Sequence, residues 1–300
     1  MTVDVRELSE LMAARMGVTS VALAPVEVRC AWPVFKATAP GRPPAFVKVV
    51  DRPAAERTLA FLAAAAPEPF LPRTVLPEAP AFAGCAVLCL EWKDVRCVNA
   101  EDMTDAQLES FADGCRRLSG VLAAYGGPLV PPDEDSPERQ YAVLRDYAAR
   151  HPAVGRLLRP LLAIPAAARS YGDRPLCVIH GDFQPRNYGF DGDRFAAVFD
   201  FDALTTGLAC EDAAYAFTER VRRSALSARA RARLTELFLR FVRRSPWPVG
   251  DWAVAVSHAR LRIASRRIER RPGSAFVAAD VWRRDRPLAR LAAALEGDYA

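Results

Sequence analysis

Residues 177–190 read CVIHGDFQPRNYGF, an apolar run that leads directly into a cluster of polar side chains. The cluster contains His180, Asp182, Arg186 and Asn187, and Asn187 follows Asp182 by five residues. A short apolar run bounded by turn residues is typical of a buried strand, so the polar residues after it are expected on a loop. Polar groups concentrated on a loop beside a rigid strand indicate a functional site.

A second strand is predicted in RFAAVFDFD, after the turn sequence DGD. This strand ends at Asp200, and Asp202 lies two residues further on. An Asn and an Asp on adjacent hairpin strands suit Mg²⁺, which takes few protein oxygens and fills its other positions with water and phosphate. If Asn187 and Asp200 hold the metal, Asp182 remains free to accept a hydroxyl proton. Phosphoryl transfer uses this division of roles.

Phosphoryl transfer also needs a cation for the nucleotide phosphates, and an upstream lysine is available. Only three of the 41 basic residues are lysines, namely Lys36, Lys48 and Lys93. Lys48 lies within the apolar strand AFVKVV, where a charge needs a reason, although a solvent-facing edge position is the ordinary alternative. Glu56 lies on the helix predicted in PAAERTLAFLAAAA, where we expect an ion pair with Lys48.

The N-terminal third predicts mainly strands, in VALAPVEVR, PVFKAT, AFVKVV and the long apolar AFAGCAVLCLEW. After Trp92 the periodicity becomes helical, and four apolar residues share one face of the next helix: Leu108, Phe111, Leu118 and Leu122. Helices resume near Gln140 and again from Glu211 to the end. We therefore expect an α+β fold with a small strand-rich lobe, residues 1–92, and a larger helical lobe, residues 93–300, around a two-strand platform.

Composition is that of an ordinary soluble globular chain, with 51% hydrophobic and 26% charged residues. No apolar run reaches membrane-spanning length and the N-terminus lacks a signal pattern, so we expect no membrane span and a cytoplasmic protein. The seven scattered cysteines contain no C-x-x-C pair, and buried inert thiols are the simplest interpretation.

Arginines dominate the C-terminal end of the chain. From Arg220 onward, 19 Arg against 7 Asp and Glu give a local charge of +12, and the total of +5 leaves −7 for the rest. Such a region could attract anions, or it could be a solvated helical surface. Arg262, Arg266 and Arg270 form one row at helical spacing, but no aromatic residues alternate with them, so nucleic-acid binding is not expected.

Taken together, HGDFQPRN, VFDFD and EDAAYAF resemble the aminoglycoside phosphotransferase and choline kinase-like family, a branch of the protein-kinase-like fold. The resemblance extends from the strand of Lys48 to about Phe217. It implies a two-lobed kinase-like fold, with an antiparallel sheet and one helix in the small lobe. It also implies a small-molecule kinase that uses ATP and Mg²⁺ to phosphorylate a hydroxyl group.

The resemblance also implies roles for individual residues. Asp182 would be the catalytic base, Asn187 and Asp200 the Mg²⁺ ligands, and Lys48 with Glu56 the pair that anchors the nucleotide phosphates.

Other residues would support this site. Asp212 and His180 would brace the catalytic loop, and Asp202 would either add to the metal site or pack beside it. The segment LEWKDV, with Glu91 and Lys93, would be the hinge that offers backbone groups to adenine.

Three departures from the family pattern stand out. The turn RCAWP, residues 29–33, lacks the usual glycine, and Gln184 replaces a frequent His. Arg186 replaces a frequent Gly, and its guanidinium could meet an anionic acceptor or the transferring phosphate, or point to solvent.

The arginine-rich end favours a neutral or anionic acceptor, with a sugar or glycan component as the leading candidate. Two alternatives stay open. One is an aminoglycoside O-phosphotransferase whose acidic segment PPDEDSPE folds over the pocket. The other is a catalytically weak kinase-like nucleotide-binding module, as the glycine-free turn would allow. Metallophosphoesterase activity is excluded, because His151, His180 and His258 do not occur in the context that its sites need.

Overall fold

The structure of the chain, a computed structural model, describes residues 3–26, 32–65, 67–131, 136–221 and 228–270, together with positions 281, 285, 289, 292, 293 and 295. Most of the turn RCAWP, half of the acidic segment PPDEDSPE and most of the chain after residue 270 lie outside these residues. Within them, the first third forms an antiparallel sheet and the remainder is mainly helical. The predicted α+β fold class is confirmed.

Among the described residues, the N-terminal sheet has five strands, Ala22–Pro25 (β1), Val34–Thr38 (β2), Ala45–Val50 (β3), Ala81–Phe82 (β4) and Cys85–Glu91 (β5). Their order in the sheet is β1-β2-β3-β5-β4. The sequence analysis predicted one long strand in AFAGCAVLCLEW. This prediction is wrong, because β4 and β5 form a hairpin there. Ala83 and Gly84 turn the chain there with φ values of 49° and 78°.

The described residues of this part form two helices instead of the expected one. α1, Val5–Met16, begins at the cap residue Asp4, ends at Gly17 in the left-handed conformation, and buries Leu8 and Met12 against the sheet. The second helix was predicted: α2, Arg52–Ala64, carries a proline in its first turn.

The larger part contains seven helices among the described residues. They are α3 (Asp105–Ala123), α4 (Pro137–Arg150), α5 (Pro152–Gly155), α6 (Arg159–Leu162), α7 (Glu211–Val221), α8 (Ala228–Arg244) and α9 (Val249–Arg270). The predicted apolar face of α3 is buried, and Leu261, Ala264 and Ile268 of α9 pack beside α4. No described helix is both long enough and apolar enough to cross a membrane.

Four short strands support the polar cluster, not the two that the sequence predicted. β6 (Cys177–Ile179) pairs with β9 (Thr205–Gly207), and β7 (Tyr188–Asp191) pairs with β8 (Arg194–Val198). The polar loop therefore connects β6 to β7. Because the Phe199 N–H donates to the Asn187 carbonyl at 2.8 Å, Asn187 lies across the ladder from the residue that precedes Asp200.

A division of the chain after Trp92 remains our proposal. The sheet ends at Glu91, which supports that boundary. The apolar core nevertheless continues across it, because the ring of Phe61 in α2 packs 5.4 Å from Tyr125 and 4.7 Å from Phe201. One core cluster therefore includes residues of both parts, while the sheet also has a core of its own.

Candidate active site

His180 connects the start of the polar loop to the end of β8. Its ring is fully buried, and Nε2 lies 2.7 Å from the Phe199 carbonyl oxygen, while the Asp182 N–H donates to Nδ1 at 3.3 Å. Since the carbonyl can only accept, the two bonds assign the neutral tautomer with the proton on Nε2. His180 is thus a support of the loop, as the resemblance implied.

The backbone of the loop is braced from two helices. Asp212, in the first turn of α7, accepts the N–H groups of His180 at 2.7 Å and of Gly181 at 3.0 Å, which forms the expected brace. Burial raises the pKa of Asp212, against the opposing effect of the two backbone hydrogen bonds that its carboxylate accepts. From α9, the Arg262 guanidinium donates to the Gly181 carbonyl oxygen. The sequence showed Arg262 only as one member of a charged row.

The Asp182 carboxylate is oriented by its own loop. Its Oδ2 accepts from Gln184 Nε2 at 2.5 Å and from Asn187 Nδ2 at 3.2 Å, and an Arg186 guanidinium nitrogen lies 3.8 Å away. The side chain keeps 21% of its surface exposed, so it is held in place yet accessible. This arrangement suits a base that must meet an incoming hydroxyl group.

Asn187 and Asp200 offer oxygen atoms that suit a hard cation. The Asn187 amide nitrogen donates to the Asp182 carbonyl at 2.8 Å, which leaves the amide oxygen as the atom for a ligand. Asp200 has φ 68° and ψ 59°, a left-handed backbone conformation that is uncommon for non-glycine residues and is enriched at functional sites. One amide oxygen and one carboxylate match the small protein share that Mg²⁺ takes beside phosphate and water.

One cavity of about 240 Å³ brings Lys48, Asn187 and Asp200 together. Its remaining lining is largely apolar: Val26, Val34, Phe46, Trp92, Lys93, Val95, Cys97, Arg186 and Phe199. Lys48 is 4% exposed in β3, with Nζ 2.5 Å from Asp200 Oδ1 and also bonded to Asp202 Oδ2. The lysine is therefore internal, and the alternative of a solvent-facing edge position is wrong.

These three charged groups change one another's ionisation. Burial lowers the pKa of Lys48, but the charges of Asp200 and Asp202 outweigh it and the pKa is raised. Burial likewise opposes ionisation of Asp200, yet the Lys48 charge brings the pKa of Asp200 below its usual value. Burial and the Asp200 charge together raise the pKa of Asp202 to about 6.

The expected ion pair between Lys48 and Glu56 does not form. Glu56 keeps 62% of its side chain exposed and lies 3.8 Å from Arg52. The buried face of α2 is formed by Ala54, Ala55, Thr58 and Phe61. At about 100° per residue, Glu56 lies on the opposite side of the helix from this face.

Helix α2 contributes two other residues that the sequence analysis missed. Arg57 donates to the Asp202 carbonyl oxygen through Nε at 3.2 Å and Nη2 at 2.9 Å, and Thr58 Oγ1 lies 3.4 Å from Asp202 Oδ1. A polar Thr58 on the apolar face of the helix was the available signal. No sequence signal indicated the role of Arg57, because its partner is a backbone carbonyl oxygen far along the chain.

The hinge segment divides between two surfaces. Trp92 and Lys93 line the cavity, whereas Glu91 lies outside its lining, accepts the Arg73 N–H at 3.2 Å and pairs with Lys93 at 3.1 Å. Lys93 also donates to the Pro69 carbonyl at 3.2 Å. A direct nucleotide contact is therefore available to Lys93 but not to the Glu91 side chain in this arrangement.

The third lysine of the chain lies at the same place. Lys36 Nζ is 4.7 Å from the centre of the Trp92 ring, and Trp92 lines the cavity. Two of the three lysines of this arginine-rich protein, Lys48 and Lys93, thus line one cavity, and Lys36 lies against a residue of its lining.

The chain belongs to the phosphotransferase enzyme family, APH, whose family model matches residues 33–249, well over half of the chain. It is therefore a phosphotransferase, and the enzyme class predicted from the sequence is confirmed. No curated protein matches the chain.

Solved structures show the same fold at low sequence identity. A thermostable mutant of aminoglycoside phosphotransferase APH(4)-Ia has a TM-score of 0.64 at 16% identity, over 97% of this chain and 100% of that one. Amicoumacin kinase hAmiN, in complex with AMP-PNP, Ca²⁺ and Ami, has a TM-score of 0.63 at 13% identity, over 99% and 94%. Spectinomycin phosphotransferase APH(9)-Ia, with ADP and spectinomycin, has a TM-score of 0.59 at 10% identity, over 99% of both chains.

Proposed function

We propose that this protein transfers the γ-phosphoryl group of ATP to a hydroxyl group of a small molecule, with Asp182 as the base. The observation that carries the proposal is the meeting of Lys48, Asn187 and Asp200 at one cavity, with Asp182 hydrogen-bonded to Asn187. A phosphate-binding cation, two metal-binding oxygens and a positioned carboxylate are the parts that kinase chemistry needs.

The apolar part of the cavity supports binding of a flat base. Val34 and Phe46 of the sheet line it together with Val95 and Phe199. A ligand seated there would direct its phosphates toward the charged end of the cavity, at Lys48.

Each of the residues at this site has a defined task in the proposed reaction. Bound Mg²⁺ supplies charge neutralisation for the phosphates, and Asn187 Oδ1 with the Asp200 carboxylate would hold it. The Lys48 ammonium binds phosphate oxygens. Gln184 and Asn187 keep one oxygen of Asp182 in place, and Asp182 orients the acceptor hydroxyl and takes its proton.

For the acceptor, our first candidate is a neutral or anionic sugar-type molecule. Arg186 supports it, because its guanidinium lies beside the Asp182 carboxylate at the point where the acceptor must approach. The C-terminal arginines support an anionic acceptor less than their number suggested, because several of them pair with carboxylates of the protein itself. Arg233 and Arg240 pair with Asp105, and Arg260 forms a buried bidentate pair with Asp285.

An aminoglycoside acceptor is the second candidate. It is favoured by this internal neutralisation of arginines, and by solved structures of similar fold that are named aminoglycoside phosphotransferases. The third candidate, a weak nucleotide-binding module, is favoured by the missing Lys48–Glu56 pair.

An ADP-release assay with a panel of acceptors separates these candidates. We expect turnover with neutral or anionic sugars, and Asp182→Asn should lower kcat by about 10²–10⁴-fold because the general base is lost. Exclusive use of amine-bearing acceptors would establish the aminoglycoside candidate. Nucleotide binding without turnover on any acceptor, or full activity of Asp182→Asn, would contradict the proposed mechanism.

A further inference from the structure

We propose that Asp202 is the positioning residue for Lys48, and that Arg57 and Thr58 of α2 hold Asp202 in place. Asp202 thereby takes the part that the sequence assigned to Glu56. This inference rests on the proposed function, since it concerns how the phosphate-binding lysine is presented to a nucleotide.

The first step is the difference between the two carboxylates that contact Lys48. Asp200 lines the cavity beside Asn187, whereas Asp202 is outside the lining of that cavity. When Asp200 is engaged with a cation and its phosphates, Asp202 is the carboxylate that remains with Lys48. A buried ammonium needs such a partner, because an unpaired charge in the interior is costly.

The second step is that Asp202 is held at three atoms. Its Oδ2 bonds to Lys48, its Oδ1 lies 3.4 Å from Thr58 Oγ1, and its carbonyl oxygen accepts from Arg57 at 2.9 Å. A carboxylate fixed on this many sides can fix the direction of the ammonium group in turn.

The third step is the docking of α2 on the segment that carries Asp202. The ring of Phe61 lies 4.7 Å from Phe201, and Phe201 lies 5.0 Å from the His180 ring beneath the catalytic loop. The helix therefore contributes a cation and a hydroxyl group, while the acidic partner comes from the segment that follows β8. The sequence analysis expected the helix to supply the carboxylate, whereas the carboxylate comes from the segment after β8.

A double-mutant cycle on nucleotide binding tests this inference. The dissociation constant of Mg·AMP-PNP is measured by titration calorimetry for wild type, Asp202→Asn, Lys48→Ala and the double variant. We expect each single variant to weaken binding about tenfold, and the double variant to be no weaker than Lys48→Ala alone, because Asp202 acts through Lys48. Additive losses would overturn the inference and assign Asp202 a separate contact, such as one to the metal.

Thr58→Val provides a second variant, because it removes only the hydroxyl group and keeps all charges. It should weaken Mg·AMP-PNP binding about threefold with Asp202 present and not at all in the Asp202→Asn background. An effect of Thr58→Val of equal size in both backgrounds would contradict the role of α2.

Three controls make the result interpretable. Asp113→Asn is the same chemical change at an exposed position of α3 and should leave binding unaltered. Adenosine, which lacks phosphates, should bind all variants equally, and the melting temperature reports whether each variant folds. A loss of binding in Glu56→Gln equal to that of Asp202→Asn would restore the pairing expected from the sequence.

The two proposals fail in different ways. A wild-type chain that neither binds Mg·AMP-PNP nor transfers phosphate contradicts the proposed function itself. A fully active wild type with additive variants contradicts only the role of Asp202.

Discussion

The backbone at Gly181 has a φ of 76°, and a Cβ placed there would lie 2.1 Å from the Ala203 carbonyl oxygen. Any side chain would therefore meet both an unfavourable backbone conformation and an immovable backbone atom. Gly192 has a similar φ of 60° with open space around it. Substitutions at these two glycines therefore separate the free-energy cost of the left-handed backbone conformation from the cost of the steric clash.

For Gly181→Ala we expect a loss of unfolding free energy of about 3 kcal/mol and a fall in activity, since the catalytic loop must shift. Gly192→Ala should cost about 1 kcal/mol, the conformational part alone, and keep full activity. Urea unfolding and kcat measure both variants. Equal losses of stability in the two variants would show that the clash is relieved without cost.

At this scale, residue type and spacing predicted which side chains lie together, while their roles in the reaction remain our proposal. Asp182, Asn187 and Asp200 follow a short motif and Lys48 is a charge inside an apolar strand, and the structure places these residues at or beside one cavity. Glu56 was wrong because the choice of partner depends on which face of α2 packs inward. A contact between remote segments is a tertiary property that no local pattern encodes.

Helix α9 holds the catalytic loop through the buried guanidinium of Arg262. This group donates to the Gly181 carbonyl oxygen and lies 4.8 Å from the centre of the Tyr215 ring in α7. A planar guanidinium can make both contacts at once, whereas an ammonium group cannot.

Arg262→Lys should therefore lower kcat about tenfold, with a smaller change in the KM for ATP, because the loop loses its orientation rather than a nucleotide contact. Arg244→Lys is the matched control, an arginine of α8 that pairs with Glu109 at the surface. It should leave kcat unchanged. A wild-type kcat for Arg262→Lys would show that Asp212 alone orients the loop.

The elements that were predicted well have strong periodicity. α3 and β3 were predicted from their apolar spacing, and the proline at the start of α2 indicated its beginning. The hairpin at Ala83 and Gly84 was missed because both flanking strands are apolar and read as one run. The pairing of β6 with β9 was missed because these strands have three residues each and are far apart in the chain.

Across the whole molecule, one apolar cluster links the sheet-containing part to the helical part. Phe61 is fully buried, and its ring packs against Tyr125, two residues after the end of α3, and against Phe201, which follows Asp200. Two parts that share a core are expected to unfold together.

Phe61→Ala should lower the free energy of unfolding by about 3–5 kcal/mol, the usual cost of removing a buried aromatic ring. The loss should appear as one cooperative transition, followed by circular dichroism and by tryptophan fluorescence. Leu176→Ala, at a position that is 44% exposed, should cost little. Two separate transitions in the wild-type protein would show that the lobes are independent.

Lys48 and Lys93 line the proposed nucleotide cavity and Lys36 contacts its Trp92, so modification of the lysine side chains should report on that cavity. Acylating reagents that attack ε-amines have no other side-chain targets, so limited labelling should abolish nucleotide binding, and bound nucleotide should protect against it. Peptide mapping by mass spectrometry would check both outcomes, and inactivation that nucleotide cannot prevent would contradict this expectation. For the same reason, immobilisation through lysines would attach the protein beside its proposed binding cavity. Cys97 is an exposed thiol that lines the same cavity, so coupling through this thiol would also obstruct it.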